Sequence, residues 1–289
     1  MTDIVNNKNN LALTALLSGA VLIGFSPILV RLSDTSPLAS AFFRVFLSLP
    51  LLWLAARVYA PTKSATEFSP RLLLPGIFFA GDLALWHMSI EHTLVANATL
   101  LANAAPVFVV FGSWLVLKET INRQFLAGLA IVATGVLLLM GQSMKLGVDN
   151  VVGDLLGIGT AVFYAGYILS MRYLRAWYPT VTLMWWSSLV TSICLFPLAL
   201  VGSENFVPGG WQGWAVLLAL AWFAHAGGQG LITFALAHLP AAFSSVTLLV
   251  QPIFAGLLAW VIFSEQLNAV QLAGMAIALV GIYFCKRAG

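Results

Sequence analysis

The sequence predicts an all-helical integral membrane protein, with ten transmembrane spans arranged as two inverted five-helix repeats and both termini cytoplasmic. Three observations carry that prediction. The composition is too apolar for a soluble core, the apolar residues fall into ten runs of membrane length, and the two halves of the chain resemble each other without a gap.

Of the 289 residues, 61% are hydrophobic and 8% are charged, against about 25% charged in an ordinary globular domain. Such a chain dissolves in a bilayer, not in water. A span needs about 20 mostly apolar residues, and runs of that kind cover 11–32, 36–59, 71–90, 93–117, 122–140, 152–173, 179–200, 212–235, 239–263 and 268–285. The connecting segments are too short for a soluble domain, so any chemistry sits among the helices. The first run is longer than the apolar core of a secretory signal and is closed by Arg31, so it reads as a retained helix. Cys194 and Cys285 are far apart inside apolar runs, which leaves neither a disulfide framework nor a metal-ligand spacing.

The net charge of +3 does not point to nucleic acid, because the basic residues are sorted by side. With the N-terminus inside, Lys8, Arg57, Lys63, Arg71, Lys118, Arg123, Arg172, Arg175, Lys286 and Arg287 fall on the cytoplasmic face, against Arg31 and Lys145 outside. That is the asymmetry of the positive-inside rule.

The repeat is read by setting Pro106 on Pro252. Ala96, Phe108, Trp114, Glu119, Asn122, Ala127, Gly128, Ala130, Ile131 and Gly135 then meet Ala242, Phe254, Trp260, Glu265, Asn268, Ala273, Gly274, Ala276, Ile277 and Gly281. A weaker echo joins Arg31 to Arg172 and Pro37 to Pro179. The units are residues 1–145 and 146–289. Because each holds an odd number of spans, the second enters the membrane from the opposite side. Lys118 and Arg123, on the inner face, become Ser264 and Ala269 in the copy that lies outside, as the positive-inside rule requires. Inverted halves are a common device of secondary transporters, whose substrate sites lie near the midplane between the repeats.

Two five-helix halves, a proline within spans 4 and 9, the endings WLVLKETINRQFLAG and WVIFSEQLNAVQLAG, and Gly135 and Gly281 together resemble the drug/metabolite transporter superfamily, EamA type. Within it the chain looks most similar to bacterial exporters of aromatic and other apolar amino acids. The resemblance spans essentially the whole chain. It implies ten helices, a central cavity lined by spans 1, 3, 4, 6, 8 and 9, and export from the cytoplasm.

Candidate site residues follow from polarity inside the spans. Pro106 and Pro252 each remove an amide donor and free a carbonyl four residues back, at Ala102 and Leu248, which a kink facing a cavity tolerates; ordinary structural bends are the alternative. Arg44 and Asp82 are charges well inside the membrane, each about 12 Å from the outer end of its span at ~1.5 Å per residue. Two readings stand: a structural ion pair, or a functional one in which Arg44 attracts a carboxylate or Asp82 carries a proton. The repeat maps Phe79, Leu83 and Trp86 onto His225, Gln229 and Ile232, each set on one helical face, so an apolar wall would face a polar one. Asn97, Asn103, Tyr164, Tyr167, Ser244 and Gln251 extend the polar inventory, with helix-to-helix glue as the bland reading. Trp185 and Trp186 fit either a cavity or an interfacial belt. Glu119 and Glu265, just before Asn122 and Asn268, read as caps of spans 5 and 10. His87, Glu91 and His92 match no zinc-protease pattern.

The expectation is a non-enzymatic secondary exporter in the bacterial cytoplasmic (inner) membrane, without a cofactor, a monomer or weak oligomer. It carries small amphipathic metabolites, aromatic and other apolar amino acids foremost. The alternative is a proton-coupled multidrug or cation exporter using Asp82. More remote are a membrane enzyme, which lacks a reactive cluster, and an accessory subunit, which leaves the repeat without a purpose.

Overall fold

The computed structural model describes residues 2–59, 68–93, 95–140, 151–202, 204–264 and 267–288, without the side chains of 2–8, 90, 91 and 95–97. Among these residues ten helices are long and apolar enough to cross a membrane: α1 (Asn9–Leu32), α2 (Pro37–Tyr59), α3 (Pro70–Ser89), α4 (Ala98–Leu115), α5 (Arg123–Met140), α6 (Val151–Leu174), α7 (Thr180–Gly202), α8 (Trp211–Ala235), α9 (Ala241–Phe263) and α10 (Ala269–Ala288). The chain is a multi-pass membrane protein. The boundary expected between residues 145 and 146 lies outside the described residues.

The packing follows a pseudo-two-fold pattern. Helix α1 packs on α8 as α3 packs on α6, α9 on α1 as α4 on α6, and α2 on α8 as α7 on α3, while α2 meets α7, α4 meets α9 and α5 meets α10. The backbone repeats too. Lys118 (φ 57°) and Ser264 (φ 56°), equivalent positions in the two halves, are the non-glycine residues with a left-handed backbone among those described. Ser264 closes α9 in the left-handed conformation common at helix C-termini.

Interruptions also match. Helix α4 breaks at Asn103–Ala104, just before Pro106, and α9 breaks at Leu248–Leu249, just before Pro252. The Leu248 carbonyl, which Pro252 cannot serve, accepts from the Gln251 amide at 2.9 Å through a tightened turn. Two further breaks, at Phe25 in α1 and at Leu47–Ser48 in α2, precede Pro27 and Pro50 for the same steric reason. In α8 the ladder widens into a π-helix over Leu220–Gln229, whereas its mate α3 stays regular over Leu73–His92.

Helices α5 and α10 meet backbone to backbone. A Cβ built on Gly135 would lie 2.4 Å from the Ala278 nitrogen and 2.7 Å from the Gly274 carbonyl oxygen, and one on Gly274 would lie 2.6 Å from the Leu139 nitrogen. The small-residue stripe is therefore consumed within the chain. Asn122 caps α5, its Oδ1 accepting from the Phe125 amide at 2.7 Å, and Asn268 caps α10 through the Gln271 amide at 3.0 Å. Asn122→Ala should cost about 1 kcal/mol, the usual worth of a cap, read as a lower melting temperature of the detergent-solubilised protein with transport retained.

Candidate functional site

A cavity of about 760 Å³ runs into the bundle from the end opposite the first and last described residues, the end that the expected topology sets outside. Its mouth lies between Arg31 at the end of α1, Trp86 and His87 in the last turns of α3, Met140 at the end of α5, and Leu267 and Gln271 at the start of α10. Its floor is built by Ala41 and Arg44 of α2, Phe79 and Asp82 of α3, Tyr164 of α6, and Leu220 and Gln229 of α8. The breaks in α1 and α9 set part of the wall, since Gly24, Ser26, Gln251 and Pro252 beside them also line it.

The floor is aromatic and charged together. Phe79 lies 4.8 Å from Tyr167 between ring centroids, and Tyr167 stacks on Tyr164 at 6.1 Å. The Arg44 guanidinium sits 6.0 Å from the Phe79 ring centroid, at the outer limit of a cation–π contact. Of the two readings open for Arg44 and Asp82, the direct structural ion pair is not formed. Their charged atoms are more than 4.0 Å apart, although each lies within the electrostatic reach of the other. Neither side chain exchanges a hydrogen bond with a described residue, and the Arg44 Nε is buried without a partner.

Of the residues singled out from sequence, Phe79, Leu83, Trp86, Asn103, Tyr164, Gln229, Gln251, Pro252, Arg44 and Asp82 line this one cavity. Asn103 turns its amide back on the Thr99 carbonyl at 2.8 Å. The others depart from expectation. His225 is not on the wall: its Nε2 pairs with the Ser188 hydroxyl of α7 at 2.8 Å and its ring stacks on Phe79 at 5.6 Å. The Ser188 hydroxyl on α7 and the Phe79 ring on α3 hold it in the seam between these helices, behind the ring that lines the cavity. Ile232 is buried against α1, with its side chain beside Gly19. Ser244 is fully buried in α9 away from the cavity, and Pro106 is buried in α4. Tyr167 is buried, with its hydroxyl toward the Met184 sulfur. Asn97 lies outside the described side chains.

His87 lines the mouth, its Nδ1 at 2.5 Å from the Leu83 carbonyl oxygen. The sequence pattern points to it only through the spacing of His87, Glu91 and His92, which fits no zinc site. Thr99, Thr160 and Gln271 are wall residues that polarity alone did not single out, because hydroxyls and amides of that kind also serve as helix glue.

At the opposite end the two halves are joined among the described residues. Glu119, expected to cap α5, instead crosses to the other half and caps α9: its Oε1 accepts from the Ala241 amide at 2.8 Å and its Oε2 from the Ala242 amide at 3.2 Å. Arg172 of α6 stands 3.8 Å from the same carboxylate. Asn122, three residues on, already fills the cap of α5, which frees Glu119 for a partner in space rather than in sequence. Beside it, Arg175 donates to the Tyr178 carbonyl, and burial lowers its pKa from the usual arginine value while leaving it charged. Glu265, the sequence mate of Glu119, lies outside the described residues.

Comparison with known proteins gives the same architecture. The EamA-like transporter family matches residues 10–141 and again 151–286. The chain is similar to the pseudopaline exporter CntI of Pseudomonas aeruginosa, at 28% identity over 276 residues and 95% of each chain. It is also similar to an uncharacterized transporter of Archaeoglobus fulgidus, at 26% identity over 96% of this chain and 97% of that one. A solved crystal structure superposes with a TM-score of 0.80 at 17% identity, covering 94% of this chain and 95% of that one, a likeness of fold.

Proposed function

The chain belongs to the EamA-like transporter family, and from that premise we propose that it exports small amphipathic metabolites, aromatic and other apolar amino acids first among them, across the bacterial cytoplasmic membrane. The single observation that carries this reading is the cavity: about 760 Å³ in volume, placed between the two halves, with Arg44, Asp82, Gln229 and Gln251 interrupting a wall of Phe79, Leu83, Trp86 and Tyr164. A volume of a few hundred Å³ with a few placed polar groups suits a small ligand. Substrate would be taken up when the halves rock to expose the floor inward and released through the mouth now formed by Arg31, Trp86 and His87. In this reading the rocking units are residues 1–145 and 146–289.

The relatives of known substrate export pseudopaline, so that molecule belongs in the same assay. Proteoliposomes loaded with unlabelled phenylalanine, threonine or pseudopaline should accumulate the labelled form by counterflow. Phenylalanine exceeding threonine is the expected order, and no transport of any of the three would remove the proposal. The cation-exporter reading draws on Asp82, an unpaired carboxylate on the wall. It would show as Asp82-dependent transport of lipophilic cations, which the nearby charge of Arg44 opposes.

A further inference from the structure

We propose that the cavity binds its substrate as a zwitterion bridging Arg44 and Asp82, the carboxylate on Arg44 and the ammonium on Asp82. This rests on the exporter reading and names the chemical class that the site selects.

Two opposite charges about halfway down a membrane protein normally neutralise one another, because an unpaired charge away from water is costly. Here both line the same cavity, in electrostatic reach of each other but not in contact, and neither holds a protein partner among the described residues. A molecule carrying both charges satisfies both walls at once, whereas a simple cation leaves Arg44 unpaired and a simple anion leaves Asp82 unpaired.

The Arg44 end is built for an acceptor with several lone pairs. The Arg44 Nε is a buried donor without an acceptor among the described residues, and Gln229 and Gln251, whose amides face the Tyr164 hydroxyl, line the same cavity. The Arg44 guanidinium, on the cavity wall without a charged partner among the described residues, matches a planar carboxylate, which such groups grip in a fixed fork. The apolar remainder of the molecule then lies against Leu83, Trp86, Met140, Ala255 and Gly256.

The test uses the full-length protein in proteoliposomes, with labelled phenylalanine counterflow as the readout. Two unlabelled competitors each lack one charge: phenylalaninamide has no carboxylate, and N-acetylphenylalanine has no ammonium. Each should compete about ten-fold or more weakly than phenylalanine itself, the factor that one lost interaction of ordinary strength produces. Arg44→Gln should abolish the preference for phenylalanine over its amide while keeping the preference over the N-acetyl acid. Asp82→Asn should do the reverse, and Arg44→Lys should keep the preference for the carboxylate, which separates loss of charge from loss of fold. Equal competition by both analogues in the native protein, or a uniform weakening of all three ligands by Arg44→Gln, would overturn the inference while leaving the exporter standing. Absence of any phenylalanine counterflow would overturn the amino-acid reading and this inference together.

Discussion

Replacing Glu119 with glutamine is expected to open the inner side. The carboxylate now accepts from two backbone amides at the start of α9, Ala241 and Ala242, with Arg172 alongside. A glutamine keeps one acceptor oxygen and turns an NH2 group toward the second amide, so one hydrogen bond and the charge assistance of the other are lost. Charge-assisted bonds contribute about 1.5–3 kcal/mol each, and a net loss at the lower end shifts a two-state equilibrium about ten-fold. The bond joins the end of α4 in one half to the start of α9 in the other, so it exists only while the inner ends of the halves are together. Spin labels placed on Lys118 and His238, both near this contact, should report a longer mean distance in the variant than in the native protein. An unchanged distribution would mean that Glu119 is a static strut. Because α9 also lines the cavity through Gln251, Ala255 and Gly256, the variant should alter transport rate as well.

The second large effect is expected at the α5–α10 seam. Gly135→Val sets a branched side chain where even a Cβ would lie 2.4 Å from a backbone nitrogen and 2.7 Å from a carbonyl oxygen. No rotamer relieves a clash with main chain, so the helices must separate. Overpacking in a tight interior costs about 1–3 kcal/mol and more where backbone has to move. The expected result is loss of the monodisperse peak in size-exclusion chromatography. Gly230→Ala is the matched control, since a Cβ there meets nothing within 4 Å, and it should behave as the native protein does. Equal tolerance of both substitutions would show that the seam is looser than its geometry states.

These effects also show which parts of the molecule could be read from sequence. The spans were legible because bilayer thickness imposes one length on every helix, and the repeat was legible because Pro106, Glu119, Asn122 and Gly135 recur at a single spacing. The breaks in α1 and α2 carried a signal, Pro27 and Pro50, that apolar periodicity hides. The π-helix of α8 carried none that local propensity expresses, and neither did the pairing of His225 with Ser188, which lies 37 residues away on α7. Glu119 was misassigned for a different reason. Its neighbour Asn122 offered a local explanation, and its true partners, Ala241 and Ala242, lie 122 and 123 residues away. Arg44 and Asp82 were found by the cost of charge in a membrane, but whether they touched was a question only of packing. The failure of that contact is what turns the pair from a structural fixture into a candidate substrate site.

The central claim is that one cavity serves both sides of the membrane in turn. Ala255 lines it on α9, beside the break near Pro252. With Cys194 and Cys285 replaced by alanine, a single cysteine at position 255 can be challenged with a membrane-impermeant thiol reagent from either side of oriented vesicles. The account predicts fast labelling from the outer side in the native background, and faster labelling from the inner side once Glu119→Gln is added. Labelling from the outer side alone, unchanged by that substitution and by saturating substrate, would contradict alternating access through this cavity.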